Sequence, residues 1–274
     1  MRIPQPKLQG WGTPVLLGIP LDHNSSYLRG PAQAPPLIRE AFDCDSWNQW
    51  TESQVDLGAS GSFEDMGDLT GMESPDAYSR IRSSVGEIME SKKRPMILGG
   101  DHSITYPILQ TIGRTFPGIT LIHFDAHPDL YQDFDGNPHS HASPFARICE
   151  ERLVGRLVQI GIRTLNAHQR AQAQRYGIDI FDMNHLPEPD SLSLGAPVYV
   201  SFDLDALDPA YAPGVSHWEP GGLSTREALR YIQALPEPVI GADLVEFNPV
   251  RDSSGLTATV AAKILKELLG KMLG

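Results

Sequence analysis

Short, almost continuously apolar runs recur along the chain, and the stretches between them repeat their hydrophobic positions every three or four residues. Pro14–Ile19, Met96–Leu98, Ile119–Phe124, Leu157–Ile162, Ile178–Phe181, Val198–Phe202 and Val239–Leu244 read as strands. Because these runs are apolar throughout instead of alternating with polar residues, they predict a sheet covered on both faces. Between them, Ser74-Pro75-Asp76 offers a cap and a first-turn proline for a helix reaching about Lys93, since Pro95 forbids continuation. Ser224-Thr225-Arg226-Glu227 has capping-box spacing and opens another helix, which Pro236 closes. A last helix is expected from Thr257 to Leu269, with Val260, Ile264, Leu265 and Leu268 on its apolar face and Gly270 near its end. Alternating strands and helices predict an α/β chain: a three-layer α/β/α fold with a largely parallel central sheet, residues 1–274 forming one domain.

Composition narrows the partners. A chain of 274 residues with 41% hydrophobic content can bury a substantial core without a second domain. Its formal charge of −12 argues against a nucleic-acid or anionic-membrane partner. No apolar run approaches the roughly 20 residues that span a bilayer. Residues Met1 to Gly12 lack a signal-peptide core, and their prolines disfavour an amphipathic targeting helix. The two cysteines, Cys44 and Cys149, are expected to be unpaired packing residues in a reducing compartment.

Three polar stretches stand at the ends of apolar runs: Gly-Gly-Asp-His-Ser at 99–103, Asp-Ala-His-Pro-Asp at 125–129 and Ser-Phe-Asp-Leu-Asp at 201–205. In a parallel sheet these ends share one edge, where loops assemble active sites. Together they supply His102, His127, Asp125, Asp129, Asp203 and Asp205, enough donors for two divalent cations. Imidazole with several carboxylates and no thiolate suits Mn²⁺, with Ni²⁺, Fe²⁺, Co²⁺ or Zn²⁺ also possible. The spacing is explained by alternation, since residues two apart in an extended stretch project to one side. A carboxylate can bridge, so six side chains can hold a pair of ions about 3.5–4 Å apart. Two such ions would make water a nucleophile near neutrality, and four carboxylates beside them would favour a cationic substrate.

In this order and at these separations, the motifs resemble the ureohydrolase family, the arginases and agmatinases. Leu17–Tyr27, Gly30–Arg39, His139–Phe145, Ala212–Gly222 and Val245–Pro249 also have counterparts there, and residues 43–65 match least. The wording Val215-Ser-His-Trp-Glu-Pro-Gly-Gly222 and Ser140-His-Ala-Ser-Pro-Phe145 is most similar to plant-type arginases. The resemblance implies an arginase-like fold, two Mn²⁺ per chain and cleavage of a small guanidinium substrate to urea and an amine. L-Arginine, giving L-ornithine, is the expected substrate; agmatine, or another guanidino acid or alkylguanidine, is the alternative. A deacetylase-like amide hydrolase with one zinc, or a non-catalytic homologue, is a more distant reading.

The resemblance also assigns roles. Glu246 matches the acid that holds the guanidinium, His141 the histidine that passes protons toward the leaving amine, and Asp129 the aspartate that accepts the proton of the attacking water. His139 lies two residues before His141 and is the weaker candidate. Asn137, Asn166 and His217 are rim candidates; Asn166 falls where animal-type arginases carry an amine-binding acid, and His217 replaces a threonine of that pattern. Asp101 is expected to fix loop geometry, His123 to sit beneath the site, and Asp208 to make a turn. The resemblance further implies a homo-oligomer, a trimer or hexamer. A cytoplasmic, bacterial-type enzyme is expected, because the chain begins almost where the fold should begin.

Overall fold

The computed structural model describes residues 11–195, 197–236 and 238–274; the expectation about Met1 to Gly12 lies mostly outside them. One eight-stranded sheet is built from β1 (Pro14–Ile19), β2 (Glu64–Asp68), β3 (Arg94–Gly99), β4 (Thr120–Phe124), β5 (Arg156–Ile162), β6 (Asp179–Asp182), β7 (Val198–Asp203) and β8 (Val239–Val245). Every pairing is parallel, and the order is β2-β1-β3-β8-β7-β4-β5-β6. The chain therefore leaves a gap between β3 and β4 and fills it last, with β8 and β7.

Alternate strand residues feed two separate cores. Leu16, Met96, Leu98, Ile122, Val200, Phe202 and Leu244 face the layer of α1 (Ala34–Phe42), α6 (Thr225–Gln233) and α7 (Leu256–Leu273). Val15, Leu17, Ile97, Leu121, Leu157, Tyr199 and Ile240 face the other layer, of α2 (Ala77–Glu90), α3 (Thr105–Thr115), α4 (Pro144–Glu150) and α5 (Ala167–Tyr176). Continuous apolar strands thus arise from burial on both faces, and the three-layer fold is as expected.

Local chemistry sets several boundaries. Ser224 and Glu227 form the expected capping box of α6. The helix expected from Ser74 starts later, because residues 74–76 form a turn closed by Ala77 N on Ser74 O at 3.1 Å, and it ends before Lys92, whose φ is +56°. Helix α7 continues through Gly270, which does not end it; a Cβ there would lie 2.4 Å from Thr51 Cγ2, so the glycine admits a neighbouring loop. Strand β2, Glu-Asp-Met-Gly-Asp, carries no apolar run and is nevertheless formed. It is an edge strand tied to α1 by Arg39, which bonds Asp65 at 2.7 Å and Asp68 at 2.5 Å. No described helix is long and apolar enough to cross a membrane.

Candidate metal centre

The four central strands, β3, β8, β7 and β4, end side by side, and each end carries part of the site. Alternation does not bring the donors together. Instead each of three strand ends turns on an aspartate whose carboxylate accepts the amide two residues on: Asp101 from Ser103 at 3.1 Å, Asp125 from His127 at 2.5 Å, and Asp203 from Asp205 at 2.8 Å. Residues 126–127 bend, Leu204–Ala206 form a 3₁₀ turn, and Asp129 has φ +49°. Local turns aim the side chains where an extended strand would not. Gly100 permits the close approach of the β1 and β3 ends, since a Cβ there would lie 1.8 Å from Leu21 O.

The donors fall into two groups. Around His102 Nδ1 stand Asp125 Oδ2 at 3.2 Å, Asp129 Oδ2 at 3.2 Å and Asp203 Oδ2 at 3.1 Å. Around His127 Nδ1 stand Asp125 Oδ1 at 3.3 Å and Asp205 Oδ2 at 3.0 Å. Asp125 thus offers one oxygen to each group. Cations bound at about 2.1 Å by donors at right angles would hold those donors about 3 Å apart, the spacing found here. His102 Nδ1 is buried without a hydrogen-bond partner. A buried ring nitrogen facing three carboxylate oxygens fits a cation well.

His123 is close enough to His102 and Asp125 to be counted with them as donors. Both its nitrogens are occupied, however: Nε2 lies 2.8 Å from Asp125 Oδ2, and Nδ1 lies 3.0 Å from Gln159 Nε2, a donor. Burial pushes its pKa down to about 4. His123 is therefore a neutral support for Asp125, as expected of it.

Electrostatics reflect crowded carboxylates. Burial, then the neighbouring charges of Asp205 and Asp125, drive Asp203 well above the usual carboxylate range. Burial and the charge of Asp125 raise Asp129 to about 6. Asp125 goes the other way: burial raises it, but His123, His102 and His127 outweigh burial and hold it well below its ordinary value. Burial lowers His102 and His127, yet their carboxylate neighbours hold both well above the imidazole range.

Beside the donors, Glu246 follows β8 with φ +63° and is 4% exposed. Its Oε1 accepts from His102 N at 2.8 Å and lies 2.8 Å from His141 Nδ1. A non-glycine residue in this conformation is strained, and such strain gathers at functional sites. His141 Nε2 lies 2.8 Å from Ser26 Oγ, and the ring is raised to about 9 because Glu246 overcomes the opposing effect of burial. His139 lies outside, its exposed ring between Tyr78 and Tyr106. Asp101 is fully buried and fastens the loop of Asn24 and Ser25, at 3.0 and 3.4 Å, to the β3 end. Asp208 makes the expected turn, accepting from Ala210, Gly221 and Gly222.

A cavity of about 180 Å³ opens over both donor groups and reaches Glu246, His141 and His217. Asn137 and Asn166 do not line it. Asn137 bonds Asn24 Oδ1 at 3.2 Å, and Asn166 caps α5 while donating to Tyr131 OH at 2.6 Å. Ser26, Tyr131 and Gln169 line the cavity and were not singled out from sequence. Their signal was weak, since a hydroxyl or amide in a loop looks the same whether it faces solvent or a cavity.

Comparison with known proteins identifies the family. The sequence model of the Arginase family matches residues 13–270. Arginase 1, mitochondrial, of Arabidopsis thaliana is 46% identical over 274 residues, covering 94% of this chain and 80% of that one. An agmatinase of Bacillus cereus is 33% identical over 267 residues, covering 93% and 90%. The structure of an arginase from Medicago truncatula superposes with a TM-score of 0.91 at 45% identity, covering 96% of this chain and 88% of that one. The cytoplasmic expectation is overturned here: several plant relatives of this similarity are named mitochondrial, and one chloroplastic/mitochondrial. It had rested on where the chain starts, which says nothing of a leader. On the match over nearly its whole length and on its fold, the chain belongs to the arginase family and is a hydrolase of the ureohydrolase type.

Proposed function

We propose that the protein hydrolyses L-arginine to L-ornithine and urea, using two divalent cations, Mn²⁺ foremost. His102, Asp125, His127, Asp129, Asp203 and Asp205 would hold them. The observation that carries this reading is Asp125, whose two oxygens face separate donor groups, each with its own histidine. The relatives at 46% identity are named arginases, whereas the agmatinase stands at 33%. Residues 1–274 would act as one ureohydrolase domain, assembling as a homotrimer or homohexamer, which light scattering tests.

Two bound divalent cations would supply the acidity that makes water a nucleophile near neutral pH. The protein's residues do the rest. Glu246 presents a planar pair of oxygens to the planar guanidinium fork. Asp129 accepts a proton from the attacking water, and protonated His141, raised to about 9, gives one to the nitrogen that leaves as ornithine. Ser26 holds the far side of the His141 ring. His217 contacts substrate at the cavity wall, while Asn137 and Asn166 act one step back, through Asn24 and Tyr131.

The deciding experiment is urea release from arginine, agmatine and guanidinobutyrate, with ion content measured in the same samples. Arginine should be preferred with two ions per chain. A tenfold preference for agmatine, about 1.4 kcal/mol in kcat/KM, would overturn the substrate assignment, and a saturating ratio of one ion would overturn the paired site. Asp125→Ala should weaken both ions together.

A further inference from the structure

Beneath His102, on the side away from the carboxylate donors, lies a buried acid that the chemistry above does not use. Asp243 sits in the middle of β8, in register with Ser201 of β7. Three hydroxyls converge on it: Ser201 Oγ donates to Oδ1 at 2.6 Å, Tyr199 OH to Oδ2 at 2.8 Å and Thr105 Oγ1 to Oδ2 at 3.2 Å. All four residues are fully buried, and among the described residues no lysine or arginine pairs with Asp243. Burying a charge in the sheet costs free energy even with three donors, and an aliphatic side chain would avoid that cost.

The donors fix the direction of the next hydrogen bond. A carboxylate only accepts, so the single proton of Ser201 is committed to Asp243. Ser201 Oγ also lies 2.9 Å from His102 Nε2, and with its proton already used it can only accept there. Nε2 therefore carries a proton, and Nδ1, among Asp125, Asp129 and Asp203, is the atom left to bind a cation.

We propose that Asp243, acting through Ser201, is a positioning residue that fixes His102 in its cation-binding tautomer and so sets the affinity of one of the two cation positions. The proposal rests on the paired-cation reading above. It is tested by calorimetric titration of the chelator-treated protein with Mn²⁺, comparing wild type, Ser201→Ala and Asp243→Asn, with melting temperatures recorded for each. Ser201→Ala and Asp243→Asn should weaken one ion by roughly 10- to 100-fold, the usual effect of removing a partner behind a metal ligand, and leave the other unchanged. Excess Mn²⁺ should then restore urea release with the KM for arginine unaltered. Wild-type affinity for both ions in Ser201→Ala overturns the proposal, whatever the melting temperatures do. A wild-type protein that takes up fewer than two ions overturns the paired-cation reading itself.

Discussion

Replacing Glu246 with glutamine preserves the shape of the side chain and removes its charge. In the native site the carboxylate is buried and accepts from His102 N at 2.8 Å, beside His141 Nδ1 at 2.8 Å. A guanidinium bound to glutamine instead loses at least one hydrogen bond to a charged acceptor, about 1.5–3 kcal/mol. kcat/KM for arginine should therefore fall roughly 10- to 150-fold. A second effect reaches His141. Burial lowers its pKa, and the charge of Glu246 reverses this and holds it at about 9 instead of 6.5. A raised histidine keeps its proton below the raised value and loses it as pH climbs through that value. Wild type should thus stay active as an acid catalyst until pH approaches about 9, whereas in the variant the alkaline loss of activity should move to lower pH, Asp101 and Asp129 still opposing the effect of burial. Urea release across pH at saturating Mn²⁺, with ion content measured in parallel, tests both effects. Two bound ions, wild-type kcat/KM and an unmoved alkaline limb in Glu246→Gln would refute the role given to this pair.

His141→Asn should lower kcat by roughly 10²–10⁴-fold, while His139→Asn, outside the cavity, should stay near wild type; equal losses in steady-state kinetics would remove the distinction. Cation affinity should rise with pH, because carboxylates hold His102 and His127 above their ordinary values and each must shed a ring proton to bind. Calorimetry in buffers of different ionisation enthalpy reads the released protons, and a pH-independent affinity would contradict this. Arg39→Ala should cost about 1 kcal/mol, its partners being partly exposed and screened, and should speed hydrogen exchange in Glu64–Asp68 before the central strands; unchanged exchange there would mean that β2 is held by its backbone alone.

What could be read from the sequence follows from what is local. Apolar runs ending in Asp and His marked the strand ends and the six Asp and His side chains that the sheet gathers at one edge, because burial leaves such residue types in place. The way those donors converge was not legible. Alternation accounted for the spacing of Asp125, His127 and Asp129, but turns closed by carboxylate-to-amide hydrogen bonds bring them together. Strand β2 was missed because it is polar and depends on Arg39, 26 residues before Asp65. Asp243 and Ser201 did stand as polar residues within apolar runs, a signal of a buried network whose partner only the sheet order reveals. The reading of location failed for a different reason, since a cellular address is not a property of the folded part.

Strand order also bears on how the site comes into being during synthesis. His102 and Asp125 emerge from the ribosome early, on strands that cannot touch, since β7 and β8 belong between them. The nascent chain therefore carries half of its acidic cluster for some time without the geometry to trap an ion. Only when the final third has been made can the two inner strands slot into the gap and bring Asp203, Asp205 and Glu246 beside the earlier residues. A cation pair held by these residues would in this way be captured only once β8 is in place, and a chain truncated before Val239 would contain all six residues and still lack the strand that joins β3 to β7.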